Sequence, residues 1–255
     1  MTRPSIIDLI DTHMETIQEE NDRDVTRFHP SLIGYCSRKI AYTMLRYPAP
    51  LIDARTMRIF ECGHSMHERF ERWFGEIGIQ IATELILNED SPDEAIASRC
   101  VPLNISGRTD SLVVIDDELY LVELKSANGN MFKYYLNEPK EHHVQQLQLY
   151  MYLTGVHKGF ILYEDKNTQE LKEFYIQYDH KLVEQLLEKI RMINYHVENR
   201  MLPNKEGKPS EWQCKYCEFR GICHYPQRPE NQALLEEYKN RSQELTQKYN
   251  DMLQP

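Results

Sequence analysis

No apolar run in these 255 residues approaches the ~20 needed for a helix to cross a bilayer, which argues against a membrane-spanning helix. The opening Met-Thr-Arg-Pro-Ser-Ile-Ile-Asp-Leu-Ile-Asp carries acids inside its apolar stretch and makes a poor secretory signal. A cytoplasmic location without a membrane partner is the expectation. Excess positive charge is missing too: 30 Lys and Arg stand against 40 Asp and Glu, a net −10. That balance excludes a generally basic coat for nucleic acid, although the local potential along a groove counts for more than the sum. No Gly-x₄-Gly-Lys-Ser/Thr phosphate loop occurs, and no internal repeat or low-complexity tract.

What remains is an ordinary globular composition, 41% hydrophobic, long enough for one domain with appendages. Ile7, Ile10, Met14 and Ile17 keep helical spacing across residues 5–20. Helices are expected over Leu32–Arg46, 57–76, Val144–Leu153 and about 180–200. Strands are expected at 79–88 and 99–106, in a hairpin over 107–126, and at Gly159–Tyr163 and Leu171–Tyr178. This order implies an α/β protein with a mixed sheet flanked by helices. Leu235, Tyr238, Leu245, Tyr249 and Met252 give the tail a helical stripe fit to dock on the body. The basic interval of Arg38, Lys39, Arg46, Arg55 and Arg58 fits either a solvated face or a surface tracking a phosphate backbone.

The chemistry concentrates in the hairpin. A turn at Asp116-Asp117 makes Ile115 meet Glu118 and Asp110 meet Glu123, with Lys125 on the same face as Glu123. Opposed carboxylates repel, and a divalent cation with a preference for oxygen ligands turns that repulsion into a site. Arg108 is a fourth charge expected across from Lys125, and Leu121 with Val122 suggests burial on both faces. Charges on a buried sheet need a reason, and catalysis is one. Exposed strand acids are the plainer alternative. Gln146 and Tyr150 share a helix face and either reach a phosphate or satisfy each other. His67 fits a nitrogen ligand or a core histidine, and Glu84 fits a supporting acid. Phe132, Tyr134 and Tyr135 suit stacking on unpaired bases as well as core packing.

Cysteine supplies a second signal. Six cysteines in a reducing compartment point to metal binding or burial rather than disulfides. Cys214-Lys-Tyr-Cys217 followed by Cys223 brings three thiols together, with His224, Cys36 or an unmarked residue as the fourth ligand. Zinc on Cys₃His and an iron–sulfur cluster on four thiolates both fit this spacing.

Gly63-x-x-x-His67-Glu68, Gly107-Arg-Thr-Asp110, Val122-Glu123-Leu-Lys125-Ser126 and Gln146-x-x-x-Tyr150, in this order, resemble the RecB-type branch of the PD-(D/E)XK nuclease superfamily. The resemblance covers about residues 29–225, with Thr109 in place of the proline of the superfamily name. Ser31-Leu-Ile-Gly-Tyr-Cys36-Ser-Arg-Lys39 upstream and the three cysteines downstream are similar to the AddB-type iron–sulfur nucleases and the CRISPR-adaptation exonucleases. The resemblance implies a restriction-endonuclease-like mixed central sheet flanked by helices, with an iron–sulfur subdomain joining the N- and C-terminal segments. It implies Mg²⁺ or Mn²⁺ on His67, Asp110, Glu123 and the main-chain carbonyl of Leu124. Lys125 would orient and activate the water, while Gln146 and Tyr150 would position the DNA backbone. A 4Fe–4S cluster would sit on Cys36, Cys214, Cys217 and Cys223, leaving Cys62 and Cys100 as ordinary buried thiols.

The implied layout is a cluster region at 29–56 and 203–226, a nuclease core at 57–202 and a helical tail at 227–255, within one nuclease domain. The implied activity is a metal-dependent DNA nuclease, foremost an exonuclease on single-stranded ends in recombination, repair, replication or CRISPR spacer acquisition. A helicase or the recombination or adaptation proteins are the implied partners. A non-catalytic iron–sulfur or zinc nucleic-acid-binding subunit is the alternative, set against the presence of Asp110, Glu123 and Lys125 together.

Overall fold

The computed structural model describes residues 5–20, 25–50 and 52–252, without the side chains of 18–20 and 241–252. Helix α1 (Ile6–Glu20) leads to α2 (Ser37–Met44) and α3 (Ala54–Glu76), then to the strands β1 (Gln80–Thr83) and β2 (Ile86–Leu87). Helix α4 (Glu94–Cys100) and a 3₁₀ turn at Val101–Leu103 precede β3 (Gly107–Arg108), β4 (Ser111–Ile115) and β5 (Glu118–Ala127). After α5 (Glu141–Thr154) come β6 (Lys158–Asp165), β7 (Leu171–Gln177) and α6 (His180–Glu198). The short α7 (Trp212–Lys215) and α8 (Arg220–His224) and the long α9 (Pro229–Met252) complete the chain.

The main sheet has the order β1-β4-β5-β6-β7. Only β5 and β6 run parallel, joined through α5, so the sheet is mixed as expected. Ile115 pairs with Glu118 and Ser111 with Val122, the register read from the sequence. Asp116 and Asp117 both take positive φ, 50° and 62°, the twist a two-residue hairpin needs. Gly159 lets β6 approach β5, because a Cβ there would lie 2.5 Å from the Leu121 carbonyl oxygen.

Each face of the sheet has its own core. Leu121 and Ile161 pack with Leu147 and Ile190 from α5 and α6, while Val113, Val122 and Leu124 pack on Met66 and Phe70 of α3. At ~1.5–3 kcal/mol for each fully buried aliphatic side chain, this two-sided burial holds β5 in the centre. A third cluster joins the ends of the chain: Tyr42 stacks on Phe219 at 5.2 Å, and Tyr47 on Tyr238 at 4.1 Å. The Tyr238 hydroxyl also donates to the Leu45 carbonyl at 2.8 Å, so α9 docks on α2 through its stripe. Leu245, Tyr249 and Met252 lie outside the residues whose side chains are described.

Several expectations are corrected. Residues 99–106 form no strand; Asp93 caps α4 by accepting from the Ala95 and Ile96 amides, and Pro102 continues the chain as a 3₁₀ turn. The helix expected over Leu32–Arg46 is confined to Ser37–Met44, after a separate 3₁₀ turn at Pro30–Leu32. Of the α1 stripe only Met14 is buried. Cys100 is buried, whereas Cys62 is exposed on α3.

Candidate active site and cysteine cavity

Asp110 lies one residue before β4, where the chain turns away from the ladder. Its carbonyl accepts the Glu84 amide at 3.1 Å, and Thr109 exchanges hydrogen bonds with Leu85. The Asp110 side chain returns to β5, where Oδ2 accepts the Leu124 amide at 2.7 Å. Glu123 and Lys125 are two apart on β5, and two-residue periodicity puts both on the α5 face, where they form an ion pair. Glu123 is fully buried, and apart from Lys125 its carboxylate oxygens have no hydrogen-bond partner. On the opposite face α3 presents His67, next to the buried Met66, with Nδ1 3.5 Å from Asp110 Oδ1.

Burial sets the electrostatics. It raises the pKa of Glu123, with the Asp110 charge adding and Lys125 opposing. It also raises that of Asp110, against Lys125 and the Leu124 amide. Burial works to lower Lys125, but Glu123 and Asp110 outweigh it and hold the ammonium charged. His67 is lowered by burial and by the Lys125 charge, which favours the neutral imidazole that can act as a ligand.

Oxygen donors with one imidazole suit a hard divalent cation, and the orphaned oxygens of Glu123 leave room for such a partner. Among the described residues, no three His, Cys, Asp or Glu side chains converge closely enough to hold an ion as they stand. The donor types fit, and the convergence would have to come with the ion.

Other expected residues fall differently. Arg108 is not across from Lys125; it sits on β3, paired with Ile86 of β2, and bonds to Glu84 at 2.6 Å. Glu84 is thereby tied to Arg108, while its charge raises Asp110 and Glu71. Gln146 donates to the Tyr150 hydroxyl at 2.9 Å, and both are buried. Three residues of the basic interval bond within the chain, while Arg46 and Arg55 are exposed. Arg38 donates to the Pro203 carbonyl, Lys39 pairs with Glu218, and Arg58 pairs with Asp11.

The sequence reading missed Glu71, one helical turn after His67, whose charge acts on Asp110. The i,i+4 spacing from His67 was the signal for it. It also missed Tyr163 and His143. Tyr163 is the parallel-register neighbour of Lys125, and its hydroxyl accepts the Lys140 amide at 3.1 Å and meets His143 Nδ1 at 2.7 Å. Burial, then the Lys125 charge, pushes His143 down to about 2, so it stays neutral. No local pattern marks a pair built across two elements.

The second centre is a cavity of about 380 Å³ lined by Cys36, Cys214, Cys217 and Cys223, with His142 and His224 also on its wall. Side-chain bonds draw its segments together. Glu206 accepts the Ser37 amide at 2.9 Å, and Lys189 donates to the Ile33 and Tyr35 carbonyls, each at 2.7 Å. Gly34 belongs to this joint, because a Cβ there would lie 2.1 Å from the His142 Cβ. Burial raises Cys214, and the neighbouring Cys36 and Cys223 raise it further. Four thiols around one cavity fit a thiolate-bound cluster by donor type; His224 keeps a Cys₃His set within reach.

A family model described as the PD-(D/E)XK nuclease superfamily matches residues 33–224. The CRISPR-associated exonuclease Cas4 of Saccharolobus solfataricus is 27% identical over 120 residues, 47% of this chain and 52% of that protein. The alignment thus spans about half the length of that relative. The crystal structure of SSO0001 superposes with a TM-score of 0.51 at 17% identity, covering 86% of this chain and 96% of the other. The alkaline exonuclease LHK-Exo from Laribacter hongkongensis gives a TM-score of 0.48 at 14% identity over 74% and 93% of the two chains. Because the family model takes in well over half of the chain, including the hairpin acids, the lysine and all four cavity cysteines, the chain belongs to the PD-(D/E)XK nuclease superfamily.

Proposed function

We propose that the protein is a divalent-cation-dependent nuclease that hydrolyses DNA phosphodiesters, acting as an exonuclease on single-stranded ends. The observation that carries this reading is the buried Glu123–Lys125 ion pair beside Asp110, with Glu123 otherwise unpartnered. A fold gains nothing evident from three charges at that depth, whereas hydrolysis of a phosphate ester needs them. The residues to hold Mg²⁺ or Mn²⁺ are His67, Asp110, Glu123 and the Leu124 carbonyl. When bound, such an ion polarises a phosphoryl oxygen and acidifies water.

The chain's own groups do the rest. Lys125 donates to the attacking water and orients it toward phosphorus, and its charge offsets charge building on the phosphate. Glu123 holds the lysine, and the Leu124 amide holds Asp110. Gln146 and Tyr150 would position the sugar-phosphate backbone, which requires their buried mutual hydrogen bond to open toward it.

A 4Fe–4S cluster on Cys36, Cys214, Cys217 and Cys223 belongs to the same reading, clamping residues 29–56 and 203–226 around the core at 57–202, with 227–255 as a helical tail that docks through Tyr238. A relative, Cas4, is named a CRISPR-associated exonuclease, which supports cleavage from nucleic-acid ends. Spacer acquisition, recombination, repair and replication are the candidate settings, in the cytoplasm. With no phosphate loop of its own the chain would depend on a helicase or on ends already unpaired.

End-labelled single- and double-stranded DNA and RNA, incubated with Mg²⁺ or Mn²⁺, test the activity. Stepwise shortening of single-stranded DNA that Lys125→Ala abolishes is the expected result. Equal turnover by that variant, or no cleavage of any substrate by the native chain, would overturn the assignment. Anaerobic purification tests the cluster: brown protein with iron and sulfide is expected, and stoichiometric zinc without iron would contradict it.

A further inference from the structure

The segment between β5 and α5, residues 128–140, begins and ends beside Lys125. Asn128 comes three residues after Lys125, just past the end of β5, and its side chain accepts the Met131 amide at 2.9 Å. At the other end the Lys140 amide reaches the hydroxyl of Tyr163, the register neighbour of Lys125. The segment therefore starts at the end of the strand that carries Glu123 and Lys125 and closes on the strand beside it.

Its middle, Met131–Tyr135, is a single π-helical turn with two inward anchors. Phe132 is 3% exposed and Leu136 1%. From β7, Lys172 donates to the carbonyls of both, at 2.6 and 3.2 Å, and its ammonium lies 4.5 Å from the Phe132 ring centre. Between these anchors Tyr134 and Tyr135 turn outward, 60% and 73% exposed. Core packing accounts for Phe132 and does not account for the two tyrosines. Lys133 sits 5.1 Å from the Tyr134 ring centre. Across 128–140 two lysines, Lys133 and Lys140, face a single acid, Glu138, in a chain whose net charge is −10. A fixed turn, two bare rings and local positive charge beside a phosphodiester-cleaving site match the features by which proteins hold unpaired bases.

We propose that Tyr134 and Tyr135 form a base-stacking platform that seats unpaired nucleotides of a single strand next to Lys125. This rests on the nuclease reading for its location, while stacking itself needs no cleavage. Each stacked base contributes ~1–3 kcal/mol, so loss of both rings weakens single-strand binding about thirtyfold or more. Backbone contacts do not involve the rings and do not change.

The test is fluorescence anisotropy on the full chain without divalent cations, using labelled oligothymidylate and an abasic strand with the same phosphates. The Tyr134→Ala/Tyr135→Ala double variant is expected to lose about thirtyfold or more in affinity for oligothymidylate. Its affinity for the abasic strand should be unchanged, and Tyr134→Phe/Tyr135→Phe should bind as the native chain does. A Tyr134→Leu/Tyr135→Leu variant keeps apolar surface without an aromatic face and should behave like the alanine variant. Native-like binding of oligothymidylate by the alanine variant would overturn the platform, as would equal native affinity for the two strands. Ring-dependent binding without cleavage in Mn²⁺ would remove the nuclease reading and keep the platform. Cleavage with ring-independent binding would do the reverse.

Discussion

The hairpin site and the cysteine cavity are built by opposite means. Glu123 and Lys125 take their positions from a ladder with uninterrupted register, and Asp110 is tied to it by the Leu124 amide. Slipping β5 by one residue would turn every side chain to the other face, so the core on both sides of the sheet enforces the site. The four cavity cysteines sit on a loop before α2 and on or beside the short α7 and α8. They are gathered by individual side chains such as Glu206, Arg38 and Lys39. A site held by backbone survives loss of its own side chains. A site held by a few side-chain bonds is completed by what it binds.

The largest effect expected from that contrast is catalytic. Asp110→Ala and Lys125→Ala should each lower cleavage at least about a hundredfold, as removal of a transition-state electrostatic partner does. Circular dichroism and thermal melts should still show a folded chain, because the ladder and both cores are untouched. A variant that unfolded, or one that cleaved normally, would break the first half of the comparison.

Next in size is loss of a cavity thiol. Cys217→Ser should remove most of the bound iron and lower the melting temperature by several degrees, since a cluster that binds only the folded state stabilises it by mass action. Limited proteolysis should then open 203–226 while 57–202 persists. Cys62→Ser, on the exposed face of α3, is the control and should change neither. Equal iron content in the Cys217 and Cys62 variants would remove the cavity from the account.

A smaller effect is expected from pH. Asp110 and Glu123 have raised pKa values in the fold, so between the ordinary carboxylate range and those raised values the native state binds more protons than the unfolded chain. Their contribution to stability is complete below the ordinary range and is lost as pH rises through the raised values. Asp110→Asn keeps an oxygen for the Leu124 amide and removes the titration. Without metal, the variant should therefore gain on the native chain from about pH 4 to about 6, by a kcal/mol or two. Urea melts across that interval measure it, and a constant difference would contradict the buried, unneutralised carboxylate.

How much of this was legible in the sequence follows the same division. The β4–β5 register could be read because Asp116-Asp117 and two alternating runs determine it locally. The position of Asp110 was half legible: its number along the hairpin was right, but its hydrogen bond to Leu124 rather than a ladder partner depends on β2 and β3, which pull residues 107–110 aside. The same detour sent Arg108 to Glu84. The strand expected at 99–106 failed because its alternation masked Asp93, a helix cap with Glu94 in the first turn. Cysteine spacing showed which thiols belong together, and nothing local could show that Glu206 and Lys189 gather them from distant segments.

The least visible feature gives the finest test. Tyr163 stands between the two regions. It neighbours Lys125 on one side, and on the other it meets His143, whose neighbour His142 lines the cysteine cavity. Its hydroxyl is the meeting point for the Lys140 amide and His143 Nδ1. Tyr163→Phe keeps the ring and the packing and leaves that amide and that nitrogen without their shared partner. The expected cost is about 1 kcal/mol of stability, with a few-fold drop in turnover as Lys125 loses a fixed neighbour, while iron content stays native. If iron fell as much as turnover, the hydroxyl would be serving the cavity as well as the sheet, and the two regions would be one cooperative unit.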